Sequence, residues 1–127
     1  MAIFSHVVVG ANDLEKARGF YDDVLGTLGI GRLMDMDDRS MWGNGAPEFM
    51  VTKPIDGKSA CHANGGTIGF GAANSEAVDR FHAAALAKGG VSEGEPGLRP
   101  MMPGLYAAYV RDPDGNKICA VHFGPAQ

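Results

Sequence analysis

An internal repeat constrains this chain more than any other feature. Shifting the sequence by 61 residues carries Val7 onto Ile68, Val9 onto Phe70, Gly10 onto Gly71, Ala11 onto Ala72, Glu15 onto Glu76, Phe20 onto Phe81, Leu25 onto Leu86, Gly29 onto Gly90 and Ile30 onto Val91. Any two strand-helix units share apolar periodicity, but glycines matched at the element boundaries point to a duplicated unit. Each copy is too short to enclose a core alone, so the two must share one. The 127 residues therefore suit a single domain over 1–127, with one module over about 1–54, a linker over 55–66 and a second module over about 67–127. The linker carries Asp56-Gly57 and Asn64-Gly65-Gly66 and little apolar content, which marks a connection.

Within each copy the pattern predicts strand, helix, then strands. Ile3 to Val9 is β-branched and alternating, and Asn12 with Glu15 three residues later resembles a capping box. Leu14, Ala17, Phe20, Tyr21, Val24, Leu25 and Leu28 recur at helical spacing, which predicts a helix from Asp13 to Leu28 that Gly29 ends. Arg32 to Met36, Arg39 to Trp42 and Glu48 to Lys53 complete the first set of strands. In the second copy, Thr67 to Ala72 is a strand, Asn74 or Ser75 caps a helix, and Gly89-Gly90 stops it. Glu93 to Gly104 is crowded with Gly and Pro, so any strand there must be an edge or bulged one. Leu105 to Arg111 and Lys117 to Phe123 close the module. Setting Asn44-Gly45 on Asp114-Gly115 gives an offset of 70 for the last strands, pairing Phe49 with Cys119 to within one residue.

Composition removes several classes. The formal net charge is −4, which disfavours capture of phosphate backbones, so no nucleic-acid partner is expected. The 45% apolar content suffices for a core. No apolar run approaches about 18 residues, and the first residues lack a charged n-region, so no membrane association or export is expected and the location read is cytoplasmic. Cys61 and Cys119 show no CxxC or zinc-type spacing and read as two reduced thiols. There is no GxSxG elbow and no phosphate loop, and Gly29-Ile30-Gly31 lacks the third glycine of a dinucleotide site.

Ala17 with Phe20-Tyr21 and Leu25-Gly26, the strand Thr67 to Phe70, and Tyr109 to Ile118 with its Asp112-Pro113-Asp114-Gly115-Asn116 turn together resemble the vicinal oxygen chelate superfamily. That group contains glyoxalase I, bleomycin-resistance proteins, fosfomycin-resistance enzymes and extradiol dioxygenases. The resemblance spans almost the whole chain. It implies an α+β fold of tandem βαβββ modules forming an eight-stranded open barrel-like sheet with a central cleft, often in a homodimer.

The resemblance also implies divalent-metal ligands on the first and last strands of each module. Carried over, they fall on His6, on its repeat mate Thr67, on Cys119, and on Phe49 or Met50, with Glu48 as the nearby carboxylate. A Thr hydroxyl and a Met thioether are poor replacements for imidazole and carboxylate donors. The expectation is therefore a cleft that binds a small, largely apolar organic molecule with no cofactor, either as a sequestering protein or as a metal-independent enzyme. The alternative is a metal-dependent lyase or isomerase of the glyoxalase type, with His6 and Glu48 as metal ligands. His6 is equally a packing residue, and Cys119 a small buried apolar one. Trp42, Met50, Met101, Met102, Tyr106 and Tyr109 come from segments expected to line the cleft, although core filling explains each as well. Arg99, in an irregular loop, would grip an anionic group of the ligand or stay solvated. His62 and His82 read as superficial.

Overall fold

The duplication becomes two βαβββ modules in the computed structural model, which describes residues 3–124. Module 1 comprises β1 (Val7–Gly10), α1 (Leu14–Gly26), β2 (Gly31–Asp35), β3 (Arg39–Gly43) and β4 (Phe49–Thr52). Module 2 comprises β5 (Ile68–Gly71), α2 (Ser75–Ala87), β6 (Val91–Leu98), β7 (Leu105–Arg111) and β8 (Lys117–Phe123). The sheets run in the orders β1-β4-β3-β2 and β5-β8-β7-β6. In each, the first strand lies parallel to the last and the other pairs are antiparallel. Among the described residues no ladder joins the two, so the expected eight-stranded sheet is two four-stranded sheets in an open, barrel-like arrangement.

One core serves both modules. Helix α1 buries Leu14, Ala17, Phe20, Tyr21, Val24 and Leu25, a stripe at helical spacing, and α2 buries Ala77, Val78, Phe81, His82 and Ala85. Phe49 meets Phe70 edge-on with ring centroids 5.3 Å apart, and Phe70 reaches Phe81 at 6.4 Å, so aromatic contact runs from the first sheet through the second to α2. Neither module would bury these rings without its mate.

Several local expectations need correction. Strand β1 starts at Val7, and Phe4 is exposed. The cap of α1 is Asp13, whose carboxylate accepts from the Lys16 N–H, whereas Glu15 pairs with Arg18. Asn12 is used for tertiary contact instead: its side chain accepts from Ala60 N–H at 2.7 Å and its own N–H donates to Asp114. Helix α1 ends at Gly26, two residues before the expected Leu28. The left-handed turn residues after the helices are Gly29 (φ 78°) and Gly89 (φ 92°), so Gly29 matches Gly89 and not Gly90. The sequence offset thus slips from 61 to 60 at that turn. The Gly- and Pro-rich stretch does contain an edge strand, β6, whose register shifts between Ser92 and Gly94 and again before Gly97. His82 is buried, not superficial, because Ser92 on β6 gives its Nε2 a partner at 2.9 Å.

Candidate functional site

With the helices covering one face of each sheet, strand alternation assigns the remaining side chains to the opposite, concave face. On β4, Phe49 and Val51 enter the core, which leaves Met50 on the concave side. Parallel pairing sets Val7 opposite Phe49 in module 1 and Ile68 opposite Ile118 in module 2. Since Val7 and Ile68 are repeat mates, Phe49 matches Ile118 and Met50 matches Cys119. The last strands are therefore offset by 69, one residue from the 70 read at the turns.

Residues paired across a sheet share a face, so each concave surface can be followed as a row across its four strands. In module 1 the row is Val8, Met50, Met41, Met34. In module 2 the row at equivalent positions is Gly69, Cys119, Tyr109, Gly94. The first is a continuous ridge of flexible apolar side chains, and His6 stands beside it, lining with Met41, Pro47, Phe49 and Met50 a depression of about 220 Å³. The second has one ring flanked by small residues. A side chain at position 69 would come within 3.3 Å of the Cys119 sulfur, so the glycine leaves room for that thiol.

The sequence-derived residues separate into three places. His6 and Met50 share the first depression. Thr67 and Glu48 line a different groove of about 460 Å³ at the seam between the modules, together with Ile3, Phe4, Phe49 and Phe70. Arg99, Met101 and Tyr109 line an open depression of about 580 Å³ on the concave side of module 2. Met102 is exposed on the turn before β7. Trp42 is fully buried on the helix side, where it donates from Nε1 to Asp22, and it also lines the groove of about 460 Å³ that holds Thr67 and Glu48. Tyr106 also faces the helices, where its hydroxyl donates to Asp79 at 2.6 Å. In both cases the even or odd position along the strand, once the register is known, sets the face. Met41 and Lys117, which the sequence did not single out, lie on the concave faces for the same reason.

Within one chain the donors that the resemblance implies do not come together. Among the described residues no three His, Cys, Asp or Glu side chains converge. Glu48 turns back to accept from the Asn44 N–H of its own hairpin, at 3.2 Å, and lines a different cavity from His6. His6 Nδ1 is engaged with the Ser5 hydroxyl at 2.8 Å. Burial pushes the Cys119 thiol up from its ordinary pKa, with Lys117 and Arg99 pulling the other way, so the sulfur stays protonated at neutral pH and is neither a ready ligand nor a nucleophile.

A family model described as Glyoxalase/Bleomycin resistance protein/Dioxygenase superfamily matches residues 3–120. Among solved structures, a glyoxalase/bleomycin resistance protein from Albidiferax ferrireducens T118 shares 51% identity, with 98% of this chain and 100% of that chain covered and a TM-score of 0.89. A glyoxalase/bleomycin resistance protein/dioxygenase family enzyme from Burkholderia phytofirmans PsJN shares 17% identity over 97% of this chain and 100% of that one, with a TM-score of 0.74. A lactoylglutathione lyase from Agrobacterium tumefaciens shares 24% identity over 95% and 92%, with a TM-score of 0.67. These last two likenesses concern the fold alone. A comparison with proteins of curated function found no match.

Proposed function

Because the chain belongs to the glyoxalase/bleomycin resistance protein/dioxygenase superfamily, we propose that its concave faces bind a small, largely apolar organic molecule without a conventional metal centre. One observation carries this reading. Where the resemblance implies metal donors stand His6, Thr67, Met50 and Cys119, and the surface around Met50 is the apolar row Val8, Met50, Met41, Met34. Thioethers on flexible stems adapt to varied apolar shapes, and a single imidazole beside them supplies one directional hydrogen bond. The alternative of a metal-dependent lyase or isomerase needs His6 and Glu48 to act together, and they line different cavities.

The site is completed by a second copy of the chain. The His6 depression is lined by module 1 alone and the Tyr109 depression by module 2 alone, so each ligand-facing surface has an open side that the other would cover. The protein works in the cytoplasm, a reading supported by two unpaired cysteines, one of them exposed. Among the described residues no helix is long and apolar enough to cross a membrane.

The reading is tested by metal analysis of dialysed protein together with a thermal-shift screen of neutral aromatic and aliphatic compounds. We expect substoichiometric metal, and stabilisation by several compounds that is lost in Met50→Lys and weakened in His6→Ala. One tightly held divalent ion per chain, or a screen in which nothing raises Tm, would overturn it.

A further inference from the structure

We infer that the concave face of module 2 is an oxyanion subsite, which takes the carboxylate or phosphate of a ligand whose apolar part lies on the methionine row. The inference rests on the binding reading above and adds the chemical class of the ligand. Two cations converge on one ring there. The Arg99 guanidinium carbon lies 5.5 Å from the Tyr109 ring centroid and the Lys117 ammonium 5.3 Å from it.

The arrangement is built by the backbone around it. Arg99 follows β6 and folds back over it, donating from Nη1 to the Gly97 carbonyl at 2.9 Å and from Nη2 to the Glu95 carbonyl at 2.8 Å. A Cβ on Gly94 would sit 3.1 Å from Arg99 Nη2 and 3.3 Å from Tyr109 Cδ1, so the bulged, glycine-bearing edge strand makes the room that the guanidinium occupies. Two carbonyls hold the group in place and leave its remaining N–H groups for a ligand. Tyr109, the ring both cations approach, pairs across the sheet with Cys119 at the centre of the concave row.

No described carboxylate forms an ion pair with either cation, although Glu93 at the rim feels the Lys117 charge. Glu93, at the rim of the same depression, is paired with Arg111 at 2.7 Å. The Glu95 carboxylate, also at the rim, lies 3.8 Å from His82 Nε2 on the other side of β6. Among the described residues neither Arg99 nor Lys117 has a carboxylate within salt-bridge distance, so both can still pair directly with an incoming anion. Met101 extends the wall of the depression with apolar surface. A planar or tetrahedral oxyanion on an apolar body matches that combination.

The test compares benzoate and phenyl phosphate with the neutral isostere benzamide, by NMR titration of the intact protein. Either anion is expected to bind about tenfold tighter than benzamide, to shift the Tyr109 and Met101 resonances, and to lose that advantage at high salt. The tighter of the two anions identifies the group. Lys117→Met, which keeps the aliphatic stem, and Gly94→Ala, which crowds Arg99, should each bring the anion down towards benzamide while leaving benzamide unchanged. Equal binding of all three compounds, or shifts confined to residues away from Tyr109, would sink the inference and leave the apolar-cleft reading intact. Failure of all three to bind removes both.

Discussion

A buried carboxylate is costly unless donors surround it, and Asp112 has four. Tyr21 donates its hydroxyl at 2.6 Å, the Asp114 and Asn116 backbone N–H groups donate at 2.9 Å, and Asn116 Nδ2 donates at 2.9 Å. Asn116 then reaches the Gly10 carbonyl, so one side-chain network ties the last turn of module 2 to the first strand and helix of module 1. Burial nevertheless outweighs the donors and raises the Asp112 carboxyl, while Tyr21 is pushed well above its usual pKa and remains a donor. The native carboxyl accepts a proton before the unfolded chain does. Stability linked to this net shift therefore grows as pH falls through the native pKa. The Tyr21 bond acts in the opposite sense, because it favours the ionised form. Tyr21→Phe should cost about 1–3 kcal/mol at neutral pH, and the penalty should shrink as acid protonates Asp112. Urea denaturation of both proteins across that range measures it, and a penalty that does not change with pH would contradict the assignment. The Asp-Pro-Asp-Gly-Asn turn was legible as a motif. Its tie to Tyr21 was not, because nothing local marks a contact between residues 91 positions apart.

At the scale of elements, the helices were the most legible because their buried stripes recur at 3.6-residue spacing with sheet on one side only. Boundaries and faces were less so. The slip from offset 61 to 60 at the helix-to-strand turn, and the one-residue change before the last strand, each depend on loop closure, and alternation then moves every side chain beyond them. The face taken by Trp42 and Tyr106, and the row through Met34, Met41 and Met50, could not be seen before the ladders were known. The glycines show what repeat matching misses. A Cβ on Gly90 would lie 2.8 Å from the Ala85 and Arg111 carbonyl oxygens and 3.1 Å from a Phe20 ring carbon, so backbone on two sides blocks any side chain there. Gly90→Ala should destabilise by about 1–3 kcal/mol. Gly19, in the middle of α1, has open space where a Cβ would go, and Gly19→Ala should stabilise by about 0.5–1 kcal/mol. Opposite shifts in the urea midpoint are the expected result, and equal shifts would discount the geometry.

For the whole molecule, the two modules share one core through their helices, and their concave faces stay uncovered in the single chain. This leaves Val8 and Met34, the ends of the apolar row, each 47% exposed, and Met101 75% exposed. A monomer gains nothing from such a surface, since apolar area in water is unfavourable by roughly 25 cal/mol per Å². The module 2 row has less bulk of its own, with Gly69 beside Cys119 and Gly94 beside Tyr109. Two copies related by a twofold axis would cover each methionine row with the partner's module 2 face, and would set the imidazole of one chain facing the cations of the other. Light scattering should then give a mass near twice the 13.3 kDa of the chain. Met34→Glu, on an exposed edge-strand position where folding tolerates a charge, should shift the protein towards monomer with its circular dichroism unchanged. The same variant should weaken binding of neutral compounds and benzoate together, because both ends of the ligand lose their shared enclosure. A wild-type monomer that still binds them with undiminished affinity would show that each concave face works alone.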